Sequence, residues 1–392
     1  MNKIKFASRP NMKYLVHLII WSFIRHILVD IISEFLHFDL YLIYSFLMFL
    51  GEFIFGLILY LYQKKYFLKK NNVENAKFMG IELISNIRFQ INDSKYKILF
   101  LIIFTSFFDF LEISIVIELG TKIKKCSRTI DDRLGGTLII FESIIYRYVL
   151  KLPIFRHQIF SILIIFMCLI ITIATEFYYQ DISIFLPKGK FVLFMALLCI
   201  NQFFNSLLDL IEKYLFEYDY FNPFKMLLLE GFVGLFFSLS YYFYKSPISY
   251  FIKYYNQHQD KLPYLIICLV LYIILSGIEN TFRIVVNKIY SPMAATVSEY
   301  ILNPIYIIFS LFLNDDFISN RKTNYFYFAI NLFLSAIISF SACIYNEFVI
   351  LFFCRLQHET YQQISYRANF IYNRRHKLFI DEDDYDTDNS TL

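Results

Sequence analysis

Charged residues and cysteine groupings are scarce in this chain, and both shortages narrow the possible function classes. Only 18% of the 392 residues are charged, whereas soluble globular chains carry about 25%. The formal net charge is +4 and the basic residues lie in short clusters, so no nucleic-acid partner is expected. The six cysteines are scattered without a CxxC or Cys/His grouping, which argues against a zinc site or a disulfide framework.

Motifs that carry chemistry are missing as well. The seven histidines are dispersed, and no HExxH or DxD motif accompanies a soluble catalytic domain, so we do not expect an enzyme. Without a Walker A motif, direct use of ATP is not expected. The sequence therefore predicts neither a cofactor nor a bound metal.

Apolar residues are abundant instead, at 58% of the chain. They come in stretches of about 20 residues, the length that crosses a bilayer. The chain is therefore predicted to be an all-α integral membrane protein with ten transmembrane helices. The predicted spans are 13–35, 39–62, 96–119, 129–150, 155–177, 191–216, 223–244, 262–287, 292–313 and 324–353.

The expected domain organisation follows from these spans. A short N-terminal segment, 1–12, precedes a first five-helix half, 13–177, and a second half, 191–353. The tail, 355–392, is polar and acidic and is predicted to be disordered. The bias of Lys and Arg between alternate loops places both termini in the cytoplasm.

Polar side chains inside the spans are the natural candidates for function, because a charge there costs about 2.5–3.5 kcal/mol on insertion scales. In the span 191–216, Asn201, Asn205, Asp209 and Glu212 recur at helical spacing and share one face. For the two asparagines, a substrate path and interhelical hydrogen bonding are equally good interpretations. For the two acidic residues, a structural role near the membrane interface is favoured.

Other spans carry similar groups. Asp109 and Glu112 lie one turn apart in the third span. In the eighth, Glu279 and Arg283 have the i, i+4 order of an intrahelical ion pair, which favours a structural role for the pair. Arg133 at the start of the fourth span suits an anionic substrate, although the neighbouring Asp132 could neutralise it.

The ninth span places a hydroxyl, a carboxyl and an amide on one face. The candidate substrate-binding residues of the whole chain are Asp109, Glu112, Arg133, Thr137, Asn201, Asn205, Glu279, Thr296, Glu299 and Asn303.

Two halves of five helices each fit the inverted repeats from which many carriers are built. Weak internal similarity supports them: Gly135-Gly136-Thr137 opens the fourth span and Ala294-Ala295-Thr296 opens the ninth. Three segments, 132–141, 222–231 and 290–297, resemble the fourth, seventh and ninth helices of the drug/metabolite transporter superfamily. The resemblance is to its nucleotide-sugar-transporter-like solute carrier family 35 branch and covers about residues 12–350.

This resemblance implies a ten-helix, 5+5 inverted-repeat carrier in the Golgi or another endomembrane. The function expected first is secondary transport of an organic metabolite, such as a nucleotide sugar or a related anion, by alternating access. The expected partners are a small-molecule substrate, the lipid bilayer and a second copy of the chain in a homodimer. The alternatives are a non-transporting scaffold or adaptor, using the acidic tail and the basic loop 63–95, and a membrane-bound transferase.

Overall fold

The computed structural model describes most of the predicted helical regions. The described residues are 4–6, 12–38, 40, 43–69, 77–78, 81–82, 95–122, 136–149, 154–179, 188–217, 221–245, 248–290, 292–313, 321–351, 356, 360 and 363. Each of the ten predicted spans contains a helix.

Eleven α-helices are present in the described residues. They are α1 (Lys13–Asp30), α2 (Tyr44–Lys69), α3 (Lys95–Lys122), α4 (Gly136–Tyr148), α5 (Arg156–Tyr179), α6 (Lys188–Glu217), α7 (Pro223–Lys245), α8 (Ile248–Gln257), α9 (Leu262–Ile289), α10 (Pro292–Leu313) and α11 (Arg321–Tyr345). A π-helical turn, Ile31–Phe35, extends α1 to the predicted end of the first span. Four short strands are β1 (Ile4–Phe6), β2 (Lys77–Phe78), β3 (Ile81–Glu82) and β4 (Val349–Leu351), pairing as β1 with β4 and β2 with β3.

Seven helices are long and apolar enough to cross a membrane within the residues described, namely α1, α2, α3, α5, α7, α9 and α11. α6 is longer still, at 30 residues, but carries Asp209, Glu212 and Lys213 in its second half. The described part of α4 has only 13 residues, and the predicted start of that span, 129–135, lies outside the described residues. The chain is thus an α-helical, multi-pass membrane protein.

The start of α7 shows why the sequence located helix starts well. Asn222 precedes the helix, and its Oδ1 accepts hydrogen bonds from the backbone N–H groups of Phe224 (2.9 Å) and Lys225 (3.1 Å). These are the donors that a helix N-terminus leaves unsatisfied. Pro223 takes the first helical position, where its missing N–H costs nothing.

The end of the last helix corrects the sequence prediction. α11 stops at Tyr345, not at 353, because Glu347 takes a left-handed conformation with φ 59°. The N–H of Phe348 donates to the carbonyl of Cys343 and that of Glu347 to the carbonyl of Ile344, which is the Schellman arrangement. Glycine usually fills this position, so a glutamate there gave no stop signal in the sequence.

Strand β4 follows this stop directly and brings the two ends of the chain together. Ile4 pairs with Leu351 and Phe6 with Val349 in antiparallel register. β1 immediately precedes α1 and β4 immediately follows α11. The start of the first long helix and the end of the last therefore lie at the same face, called here the terminal face.

A short amphipathic helix, α8, was not foreseen in the connection between the seventh and eighth spans. Tyr254 is its buried anchor: its hydroxyl donates to the carbonyl of Leu36 (2.6 Å), and its ring packs edge-on against Phe38. Burial raises the pKa of Tyr254, which keeps the phenol neutral as a donor. Lys261 donates to the carbonyl of Phe35, so α8 and the end of α1 share the face opposite the termini.

The relative directions of the helices can be read from their contacts. His17 stacks on Phe282 (5.1 Å between ring centroids), and eight residues later Arg25 pairs with Glu279, so α1 and α9 run antiparallel. The pairs α2/α7, α3/α6 and α5/α11 are antiparallel by the same criterion.

Other pairs run in the same direction. Tyr44 packs on Tyr272 (5.4 Å between centroids), and Asn280 donates to Glu52 (2.7 Å), so α2 and α9 are parallel. The pairs α3/α7 and α6/α9 are parallel as well.

Glycines bring α2 and α7 into backbone contact. A Cβ placed on Gly56 would lie 2.5 Å from the backbone nitrogen of Leu228. On the facing helix, a Cβ on Gly231 would meet the backbone of Phe53. Small residues of this kind allow membrane helices to pack closely, where dispersion and interhelical hydrogen bonds replace the hydrophobic effect. The backbone of Glu52 and the residue before Gly231, Glu230, lie at this crossing, and both acidic side chains are buried.

Candidate functional site

The interior of the bundle contains a group of charged and amide side chains from five helices. It is called the central cluster and comprises Glu52, Asp109, Asp209, Glu212, Glu230, Asn280, Arg283 and Asn287. Glu52 comes from α2, Asp109 from α3, Asp209 and Glu212 from α6, and Glu230 from α7. α9 contributes the guanidinium and both amides.

Arg283 is the hub of this cluster. Its Nη2 donates to Glu212 Oε1 (2.9 Å), and its Nη1 lies 3.6 Å from Asp209 Oδ1. Glu212 is fully buried, and its other oxygen accepts a hydrogen bond from Asn287 Nδ2 at 2.7 Å. Asp109 and Glu230 also interact electrostatically with the guanidinium.

The intrahelical pair predicted between Glu279 and Arg283 does not form. Arg283 pairs with the acidic residues of α6 instead. Glu279 points toward α1, where it forms a bidentate ion pair with Arg25. The third guanidinium nitrogen of Arg25, Nη1, donates to the hydroxyl of Tyr44 at 2.5 Å. The Arg25–Glu279 pair uses both oxygens of the carboxylate, a geometry that makes an ion pair stronger and more specific.

A second polar contact outside the central cluster joins α6 and α3. Asn205 on α6 donates to Glu112 on α3, with 3.3 Å between Nδ2 and Oε1. Both residues were candidates from the sequence, and the structure brings them together. Asn201, one turn earlier on α6, is fully buried, and neither its Oδ1 nor its Nδ2 has a hydrogen-bond partner among the described residues.

The candidates on α10 lie apart from the central cluster. Asn303 lines a cleft between α5, α10 and α11, together with Thr172, Tyr300, Asn331 and Ser335. Thr296 is buried in the same helix, whereas Thr137 on α4 is half-buried. The side chain of Glu299 and all of Arg133 lie outside the described residues.

The structure therefore does not bring the sequence candidates together at one place. Asp109 belongs to the central cluster, and Asn303 lines the cleft. Asn205 with Glu112, and Arg25 with Glu279, form two polar contacts beside the cluster, called here the flanking contacts. The polar groups that meet in the central cluster come from α2, α3, α6, α7 and α9, and the candidates Thr137 on α4 and Asn303 on α10 are not among them.

Several residues at the centre were not among the sequence candidates. Asp209 and Glu212 were assigned a structural role near the membrane interface, and they form interhelical ion pairs with Arg283 in the protein interior, where they are 5% and 0% exposed. The sequence does contain a feature that could have identified Glu52 and Glu230. Each stands next to a glycine, Gly51 or Gly231, and these glycines mark close-packed helix faces. A carboxyl group beside such a face points into protein, not lipid.

Comparison with known proteins adds no relative. No protein-family model and no curated protein matches the chain. Fold and interior together define the class as a multi-pass α-helical membrane protein with a buried, charge-rich interior.

Proposed function

We propose that the chain is a secondary carrier of an organic metabolite, built from ten membrane-spanning helices in two inverted halves. The observation that carries this proposal is the central cluster, in which ionisable side chains from five helices meet inside the bundle. Groups of this kind are expensive within a membrane and mark substrate or ion pathways in most proteins that contain them.

The helix directions support ten spans. If α8 is left aside and the ten long helices are counted in order, helices of equal parity should run parallel and helices of unequal parity antiparallel. All seven pairs with known directions obey this rule. The pairing of β1 with β4 adds that the number of crossings is even.

The packing pattern supports the two halves. In a 5+5 arrangement, α1 to α5 are equivalent to α6, α7, α9, α10 and α11. The contact of α2 with α9 then corresponds to that of α7 with α3, and the contact of α3 with α6 to that of α9 with α1. The contacts of α4 with α6 and with α5 correspond in the same way to those of α10 with α1 and with α11.

Polar contacts follow the same equivalence. Arg25 on the first helix of one half bonds to Glu279 on the third helix of the other. Asn205 on the first helix of the second half bonds to Glu112 on the third helix of the first. Under the proposed repeat these two contacts are equivalent. Asn205 lies one turn before Asp209 on α6, and Glu279 lies one turn before Arg283 on the parallel helix α9. Both contacts therefore border the central cluster on the side opposite the terminal face.

The resemblance to the nucleotide-sugar-transporter-like branch of the drug/metabolite transporters accords with this arrangement. On that basis we propose that the carrier resides in the Golgi or another endomembrane with both termini in the cytoplasm, and that it is not an enzyme. The loop charges that predict this orientation are those at the terminal face.

Transport is tested with purified protein in liposomes, screened for uptake of radiolabelled nucleotide sugars and related metabolite anions. We expect saturable uptake by the wild type. The Asn205→Ala and Glu299→Gln variants should lose at least about tenfold in uptake, a loss of about 1.4 kcal/mol, while still inserting into the membrane. Asn205→Ala removes the amide that donates to Glu112 and opens one of the two flanking contacts.

The matched control is Asn256→Ala, the same substitution at an exposed position of α8. Uptake unchanged in Asn205→Ala and Glu299→Gln would contradict a carrier built around these residues. A protein that tolerates both changes but loses a binding partner when residues 355–392 are removed would instead be a scaffold.

A further inference from the structure

The central cluster holds more acidic groups than it can neutralise. The charged side chains that face it are Glu52 from α2, Asp109 from α3, Glu142 from α4, Asp209, Glu212 and Lys213 from α6, Glu230 from α7 and Arg283 from α9. Among the described residues, six carboxyl groups therefore face two cations. Lys213 donates to the backbone carbonyls of Asn287 and Tyr290, whereas Arg283 contacts two of the carboxyl groups directly.

Burial makes this imbalance costly. Glu52 is 1% exposed and Glu230 is 4% exposed, and both interact with Glu212 and Asp109 as well as with the guanidinium. An isolated carboxylate in a medium of low dielectric constant is strongly disfavoured, and several carboxylates sharing one region repel one another. Some of the negative charge in this cluster must therefore be removed.

Buried oxygen atoms without a hydrogen-bond partner show where this negative charge can be removed. Asn280 donates to Glu52 Oε1, but the buried Glu52 Oε2 has no hydrogen-bond partner among the described residues. Glu230 Oε1 and the amide oxygen of the fully buried Asn287 are in the same situation. The cluster also contains one donor without a partner among the described residues, Arg283 Nε. The three acceptors outnumber it, and two of them belong to carboxyl groups, which can become donors by binding a proton.

We propose that the central cluster is a proton-binding site, in which Glu52 and Glu230 take up protons from water and release them again. A proton on Glu52 Oε2 removes its charge and turns that oxygen into a donor, and a proton on Glu230 Oε1 does the same on α7. The two residues belong to the glycine-lined crossing of α2 and α7, at the centre of the proposed inverted repeat. Use of the proton as the coupling ion rests on the carrier function proposed above, whereas its binding does not.

A proton-binding site predicts a different order of ion binding from that of an anion exchanger. A cluster dominated by carboxyl groups repels anions until it has taken up protons, so proton binding would precede or accompany entry of an anionic solute from the same side. A cationic solute would instead compete with the protons.

The test is infrared spectroscopy of the protein in liposomes, followed through the carbonyl-stretch band of protonated carboxyl groups. The wild type is titrated from about pH 6 to pH 9, where unperturbed Asp and Glu are almost fully ionised. We expect a protonated-carboxyl band that disappears reversibly as the pH rises. Glu52→Gln and Glu230→Gln, which keep the side-chain shape, should each remove part of it, and Asp260→Asn, at an exposed position before α9, should leave it intact.

A wild-type spectrum without this band at any pH in the range would overturn the proposal, whatever the variants do. So would a band that both glutamine variants leave unchanged. Because no solute is needed, a wild type that shows the band but transports nothing would support this site while contradicting the carrier function.

Discussion

We expect the Arg283→Met variant to unfold several degrees below the wild type in a thermal denaturation series. Methionine occupies a similar volume but removes the guanidinium that lies 2.9 Å from Glu212 and 3.6 Å from Asp209. Removing one partner of a buried ion pair typically costs about 3–5 kcal/mol, because the remaining charge is left buried and uncompensated. Here two carboxyl groups lose their counter-charge at once.

The measurement is the temperature at which detergent-solubilised protein loses its monodisperse peak. Arg147→Met is the matched control, since Arg147 is exposed on the last turn of α4. The double variant Arg283→Met/Glu212→Gln should recover part of the loss, because it also removes the orphaned charge. Wild-type stability in Arg283→Met, or strictly additive losses in the double variant, would show that the pair does not hold the cluster together.

The second large effect is expected at the crossing of α2 and α7. In Gly56→Leu, the new Cβ would lie 2.5 Å from the backbone nitrogen and 2.7 Å from the Cα of Leu228. Backbone atoms cannot rotate away as a side chain can, so the two helices must separate. Overpacking a core costs about 1–3 kcal/mol even when side chains adjust, and a backbone collision should exceed that range.

Separation of these helices would also pull Glu52 away from the cluster. We therefore expect a several-fold fall in the fraction of Gly56→Leu that elutes as monodisperse protein, with an intermediate result for Gly56→Ala. Ala174→Leu provides the control, because Ala174 is exposed on α5. Equal yields for Gly56→Leu and Ala174→Leu would mean that α2 and α7 are not in backbone contact.

The positions of the helices could be predicted from the sequence because the membrane imposes them. A bilayer core sets the length of each apolar run, and caps such as Asn222-Pro223 mark a helix start through local hydrogen bonds alone. Signals of this kind depend on residues that are close in sequence. The stop of α11 was missed because Glu347 takes a conformation that usually belongs to glycine.

The partners of the buried charges could not be predicted in the same way. Helical periodicity correctly placed Asn205, Asp209 and Glu212 on one face, but it does not say which helix that face meets. Local spacing favoured a bond between Glu279 and Arg283, yet each found a better-oriented partner across a helix interface, Arg25 and Glu212 respectively. The choice depends on tertiary packing, which the spacing along one helix does not contain.

The most direct test of the central claim, ten helices of alternating direction, is the sidedness of four exposed positions. Lys64 follows Gln63, which bonds to Asn222 at the start of α7, so Lys64 and Lys225 lie at the terminal face. Lys253 and Gln259 accompany α8 at the opposite face. Each is changed to cysteine in a cysteine-free background, and sealed vesicles are treated with a membrane-impermeant maleimide.

The arrangement predicts that Lys64→Cys and Lys225→Cys react from the same side as an N-terminal tag. Lys253→Cys and Gln259→Cys should react only from the other side. Labelling of all four positions from one side would contradict the alternating directions, and with them the two inverted halves on which the carrier mechanism depends.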